Sequence, residues 1–331
     1  MLPIIVERGA TKLLTQLPVK SIALDGFVQG PEIDLDGERL SFDHHDKCLR
    51  TFTRATCQQV MDSLLLGFNP KGYTIYINDV DSDTVLACWL LQHPRLAVRD
   101  DVRAIVEAVG AIDAHGPAYP LGEGNMLAEV FYEGVMAPEN ASRRDRTYGS
   151  CDLKGLLQVC MARFDKMLGG ETFGVDFVDH EPVPYEVIHQ GKGWAVVYSD
   201  GFAFPTLYED NYNAVVLYNQ LPDGSWGYTI GKKSEFVRFP VGPAGKPGTI
   251  LHMLAKAEPG WGGGSTIGGA PRSPDGSRSK LPPKKVFELI SELLGEADYI
   301  GPETSDLPDM MSDEFLQAAR ASADAARAEE D

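Results

Sequence analysis

Three short apolar runs early in this chain break off at an aspartate. "KSIALDGFV" stops being apolar at Asp25, "RLSFDHH" at Asp43, and the β-branched and aromatic run of "GYTIYINDVDSD" leads into Asp79, Asp81 and Asp83. Runs this short and this rich in Ile, Thr, Tyr and Phe read as strands. Between and after them the apolar spacing becomes helical. "ATCQQVMDSLLLGF" places Val60, Met61, Leu64 and Leu65 on one face, "DTVLACWLLQHP" runs up to Pro94, and "RDDVRAIVEAVGAIDAHG" runs into Asp113 and His115. Strands alternating with helices predict an α/β domain with a mainly parallel sheet. Ligands of such sheets bind outside the carboxyl ends of the strands. Asp25, Asp43, Asp81, Asp83 and Asp113 are therefore expected to meet in one crevice.

This pattern fills residues 1–165. From about 180 to 298 the character changes: "GWAVVYSDGFAFPTLYED", "YNAVVLYNQ" and "WGYTIGKKSEFVRFPV" are strand-like with turn signals between them. The Gly-rich "GWGGGSTIGGAPRSPDGSRSK" and the helical "PKKVFELISELLGEA" follow. The expectation is a smaller α+β domain over 180–298, joined through the segment near 166–183. Residues 303–331 carry nine Asp/Glu against Arg320 and Arg327, an acidic tail.

With 30 Lys and Arg against 48 Asp and Glu, the net charge is −18. So acidic a surface repels long polyanions, which argues against long nucleic acid and for a small anionic substrate. No apolar run approaches the roughly 18 residues of a membrane span, and the start lacks a signal peptide's pattern, so a cytoplasmic protein is expected. Five cysteines without a CxxC pair indicate neither a disulfide framework nor a zinc ribbon. A dimer is compatible with all of this.

Clustered Asp and His offer oxygen and imidazole ligands suited to Mn²⁺, Mg²⁺ or Zn²⁺. Taken singly, an Asp at a strand end is as well explained as a helix cap or turn residue, and Asp83 before "TVLACWLL" makes a good N-cap. The pair His44-His45 is harder to absorb, because neighbouring strand residues point to opposite faces. His115 is a further imidazole beside Asp113. In the second region, Gly262, Gly263 and Gly264 with Arg272 read either as a flexible loop or as an anion pocket of backbone N–H groups and a guanidinium.

Asp43-His44-His45 resembles the signature of the DHH phosphoesterase superfamily. "NDVDSDTVLACWLL" is similar to that family's Asp-x-Asp motif, with Asp81 and Asp83 in the paired positions. Asp25 is similar to its lone metal-bridging Asp, "AIDAHG" to its later Asp motif, and "WGGGSTIGGAPR" to the signature of its associated C-terminal domain. The Myg-type branch looks most similar. The resemblance implies a metal-dependent hydrolase, a phosphoesterase of a small phosphorylated substrate such as a nucleotide or short oligonucleotide, with one or two Mn²⁺ (or Mg²⁺ or Zn²⁺) per chain. It implies that Asp83, Asp25, His44 and Asp113 hold one ion, and Asp81, Asp25 and Asp79 a weaker one. His45 would contact the scissile group, Asp43 would orient His44, and Gly262, Gly263, Gly264 and Arg272 would bind substrate.

The chain departs from the family pattern twice. The Asp-x-Asp motif follows Asp-His-His instead of leading, a permutation that compact domains tolerate. Ile77 stands where the family places a His, which removes one ligand of the weaker site. An altered ion number leaves room for hydrolysis of a non-phosphate bond, or for a binding protein without turnover.

Overall fold

The computed structural model describes residues 1–45, 47–119, 124–175, 182–273 and 276–296. The acidic tail at 303–331 lies outside them. The chain forms two units, one of Met1–Val183 with the returning segments Phe202–Asn211 and Lys233–Arg238, the other of the remainder from Pro184 onward. Two segments thus return to the first unit after the chain has left it, which a single cut of the sequence into 1–165 and 180–298 does not represent.

The first unit is built on five strands: β1 (Ile4–Val6), β2 (Ser21–Leu24), β3 (Glu32–Asp34), β4 (Arg39–Phe42) and β5 (Thr74–Ile77). Their order is β1-β5-β2-β4-β3; β1 with β5, β5 with β2 and β2 with β4 pair parallel, and β3 lies antiparallel on β4. The edge strands β1 and β3 are three residues long and escape the pattern of apolar runs ending in aspartate. Helices follow: α1 (Thr56–Leu65), α2 (Ser82–Gln92), α3 (Asp100–His115), α4 (Gly124–Glu129), α5 (Ala137–Arg144) and α6 (Leu153–Leu168).

Alternation along the strands sorts side chains to two faces. Ile22, Leu24, Ile75 and Ile77 join the main core with α1, α2, α3 and α6, whereas Ala23 and Tyr76 join a smaller cluster with Leu14, Leu17, Phe27 and Val28. The helix α2 is buried on every side from Ser82 to Leu91, as a helix apolar all round must be. Trp89, at its centre, satisfies its one polar atom by donating from Nε1 to Asp165 Oδ1 at 2.8 Å. Because β5, β2 and β4 are parallel neighbours, the segments after Ile77, Leu24 and Phe42 leave the same sheet edge side by side.

The second unit holds β6 (Glu186–Gly191), β7 (Trp194–Tyr198), β8 (Ala214–Gln220), β9 (Trp226–Lys232), β10 (Gly262–Gly263) and β11 (Ile267–Gly269), in the order β10-β11-β9-β8-β7-β6. Only β7 and β8 pair parallel among them. The helix α7 (Phe204–Glu209) lies in a segment returning to the first unit, and α8 (Ile250–Ala257) and α9 (Pro283–Leu294) pack together in the second. Phe287 of α9 packs its ring on Trp194 at 5.2 Å. No helix among the described residues is long and apolar enough to cross a membrane.

Candidate metal centre

Directly after β2, Asp25 takes a left-handed backbone (φ 46°) and Gly26 follows in the same region (φ 79°). Such a conformation is uncommon outside Gly, Asn and Asp, and two in a row turn the chain sharply at the sheet edge. The Asp25 N–H still extends the ladder to Phe42 O at 2.9 Å. Its carboxylate faces two hydroxyls at helix starts: Thr56 Oγ1 donates to Oδ1 at 3.0 Å, and Thr84 Oγ1 lies 3.5 Å from Oδ2.

Asp83 is fully buried in the first turn of α2. It does not cap that helix, as its place before "TVLACWLL" suggests; Asp81 does, accepting from Thr84 N at 2.8 Å. Asp83 instead closes the start of α1, where Cys57 N donates to Oδ1 and Thr56 N to Oδ2, each at 2.7 Å. A carboxylate on free N–H groups at a helix start is stabilised by those bonds and by the helix dipole. Asp83 thus ties α1 to α2 at the end where the site lies.

His44 follows β4 and is completely buried. Its Nε2 lies 2.8 Å from Asp113 Oδ2, 3.6 Å from Asp83 Oδ2 and 3.7 Å from Asp25 Oδ1. Yet neither ring nitrogen of His44, nor Asp113 Oδ2, has a hydrogen-bond partner among the described residues. A buried polar atom left unpaired costs about 1–3 kcal/mol, so three such atoms at one point call for a partner. Asp113 reaches the site from the last turn of α3.

His45 stands beside His44, half-exposed, the two rings 4.5 Å apart and its Nδ1 3.4 Å from the same Asp25 Oδ1. Asp43 holds it: Oδ1 lies 3.0 Å from His45 Nδ1 and accepts from His45 N, while Oδ2 accepts from Gly30 N at 2.7 Å. This corrects the expected role of Asp43. It positions His45, not His44, because its Oδ1 meets both the ring and the backbone N–H of His45.

The electrostatics are those of crowded carboxylates. Burial pushes the Asp25 carboxyl well above its ordinary value, and Asp81, Asp83 and Asp113 push it further. Burial and the Asp113 charge raise Asp83 to about 6, His44 opposing. For Asp113, burial works against ionisation, but the His44 imidazole and Arg50 prevail and hold it below the usual range. For Asp43, burial is likewise outweighed, and the bonds from His45 and Gly30 bring it to about 2. The hydrogen bond to Asp43 raises His45.

Two sets of ligand atoms, Asp25 with His44 and His45, and His44 with Asp83 and Asp113, each lie within 4.8 Å of one another. These buried Asp and His groups could hold a metal ion. The unpartnered His44 nitrogens and Asp113 oxygen fit one, and a divalent cation would offset the mutual repulsion that raises Asp25 and Asp83.

Of the expected ligands, Asp79 belongs to neither ligand set among the described residues. Its carboxylate accepts from the Tyr148 hydroxyl and from Val80 N at 2.9 Å, and Arg143 lies 3.7 Å away. Arg143 in turn covers the Tyr148 ring at 4.0 Å, so Asp79 belongs to a packing assembly of α5 and the chain before α6. Asp81 stands beside Asp25, whose carboxyl it raises, but belongs to neither ligand set among the described residues. Ile77 is fully buried in the main core. In the second unit, Gly262 and Gly263 are not a free loop: they pair with Gly269 and Gly268 as β10. Gly263 has φ 148°, and a Cβ there would stand 2.3 Å from Gly268 Cα, so close backbone approach explains that glycine. Gly264 donates to Ile267 O, and Arg272 is exposed.

Sequence reasoning passed over Thr56, Thr84 and Arg50. The threonines stand in the first turns of two helices aimed at the site, a signal readable only once those helix starts are known to converge. Arg50 Nη2 donates to Asp113 O at 2.9 Å and lies 3.7 Å from its Oδ2. No family model matches the chain, and no curated protein matches it.

Proposed function

We propose that the first unit is the catalytic domain of a metal-dependent hydrolase, a phosphoesterase of small phosphorylated substrates such as nucleotides or short oligonucleotides. The observation that carries the proposal is His44: a fully buried imidazole without a hydrogen-bond partner, its Nε2 within 3.7 Å of oxygens from Asp25, Asp83 and Asp113. His44, Asp83 and Asp113, with Asp25, would hold the ion, and mixed imidazole and carboxylate ligation favours Mn²⁺ or Zn²⁺ over Ca²⁺. A bound ion supplies Lewis acidity and a water acidic enough to act as nucleophile near neutral pH.

The remaining residues have work of their own. Asp43 fixes the His45 ring through Nδ1 and favours its protonated form, so His45 can donate a proton or meet negative charge from its half-exposed edge. Arg50 anchors to the end of α3 and presents a cation at the rim of an otherwise acidic site, where an anionic substrate needs one. Asp83 holds α1 and α2 in register beneath them.

With Asp79 engaged by Tyr148 and Ile77 in the core, one ion is expected to be held tightly, at His44, Asp83 and Asp113. That favours keeping a second reading, a one-ion hydrolase of a non-phosphate ester or amide. Phosphate release from a panel of nucleotides, measured after dialysis against chelator and again after adding Mn²⁺, separates them. The proposal expects release only with the ion; Mn²⁺-dependent cleavage of carboxylic esters without phosphate release would favour the second reading.

A further inference from the structure

A cleft of about 470 Å³ opens between the segment Thr51–Arg54 and one face of α3. That volume lies within the roughly 300–1,000 Å³ usual for small-molecule sites. Its neighbours in the chain are the residues of the metal centre. Arg50, which bonds Asp113, immediately precedes Thr51; His115 lies two residues beyond Asp113; Gln58 lies two residues beyond Thr56, which bonds Asp25. His115, in the cleft wall, also stands near enough to Arg50 and His44 to feel the charge of both, so the cleft adjoins the ligand cluster on that side.

Its walls are unusual for so acidic a chain. Phe52 is 72% exposed and Tyr119 46% exposed, and both line the cleft. Tyr119 lies stacked on His115 with centroids 4.8 Å apart and planes 22° from parallel, which fixes both rings. The Phe52 ring is held edge-on at 6.0 Å by Phe236, itself 71% exposed. Exposed aromatic rings kept in place by other rings make platforms for a planar partner. The helix side is lined by the small side chains of Ala104, Ala108 and Ala111. Polar side chains also line it: Gln58 donates to Glu107 Oε2 at 2.8 Å, and Arg54 is paired with Glu107 and Asp62. Such groups can meet the donors and acceptors on the rim of a heteroaromatic ring.

Building on the phosphoesterase reading, we infer that this cleft is the nucleobase subsite of the centre, with Phe52 and Tyr119 stacking the base while Arg50 and the ligand cluster take the phosphate end. The substrate class is then a nucleotide, free or at the end of a very short oligomer. Sugar phosphates and inorganic polyphosphates lack the ring that these walls accommodate.

The test is binding, on the full chain loaded with Mn²⁺, of the non-hydrolysable methylene phosphonates corresponding to AMP and to ribose 5-phosphate, followed by calorimetry. The adenine-bearing ligand should bind about tenfold or more tightly than its ribose counterpart, the usual size of one base stack. Tyr119→Ala and Phe52→Ala should each remove much of that gap and leave the ribose ligand unchanged. Both side chains are exposed enough for truncation to spare the fold, which circular dichroism checks. Equal binding of the two ligands, or a preference that survives both substitutions, overturns the subsite. Failure of the metal centre itself reads out separately, as absence of Mn²⁺ from the protein by elemental analysis.

Discussion

His44 and His45 are adjacent in sequence but differently held, one fully buried among carboxylates and the other half-exposed against Asp43, and their substitution should separate the tasks proposed for them. His44→Ala and Asp113→Ala should each abolish retained metal, because each removes a candidate ligand atom that lacks a hydrogen-bond partner among the described residues. His45→Ala should keep most of the metal and lower turnover by roughly 10²–10⁴, the range for a positioned acid or base. Equal metal loss in all three would show that the pair has been divided wrongly. The carboxylates add a pH signature. Asp83 is raised to about 6 and Asp25 is raised as well, so without metal the folded chain binds more protons than the unfolded chain between the ordinary carboxylate range and about pH 6. Stability contributed by these protonated groups is full at low pH and is lost as pH rises through about 6. An ion reverses this by requiring the ionised forms. The rise in Tm on adding Mn²⁺ should therefore be larger at pH 7.5 than at pH 5, and equal shifts would contradict the assignment of these carboxylates as ligands.

At the scale of elements, the strands β2, β4 and β5 and the helices α1, α2 and α3 were legible because apolar periodicity changes at each boundary. Asp25, His44, Asp83 and Asp113 were legible as candidates because each stands where such an element ends or begins. What could not be read was direction. Asp81 rather than Asp83 caps α2, Asp43 serves His45 rather than His44, and Asp79 turns to Tyr148, a residue far along the chain whose approach no local pattern announces. The short edge strands β1 and β3 were lost for lack of length. Ile77 shows the consequence most directly. From sequence alone, Ile77→His would restore a second ion site if β5 turned that side chain toward the crevice. The strand turns it into the core instead, fully buried beside Ile75 and the helices. Ile77→His should thus leave the ion number unchanged and destabilise the chain by about 1–3 kcal/mol, the cost of an unpaired buried imidazole. Denaturant unfolding checks the second outcome, and a gain of tightly bound metal would contradict the first.

For the molecule as a whole, the candidate metal centre stands at the edge of a sheet whose three central strands run parallel, tied together by bonds between helix starts and buried carboxylates. Asp83 links α1 and α2, and Asp25 meets a hydroxyl from each. An ion bound there is bound by the folded chain and not by the unfolded one, so at a hundred times its Kd it should add about 2.7 kcal/mol to stability. The measurement that bears most directly on this account is the metal content of the Mn²⁺-loaded chain after exhaustive dialysis, set beside that of folded His44→Ala. The account predicts one tightly held ion per chain in the first and none in the second. No retained ion in the unmodified chain, or the same content in both, would contradict it.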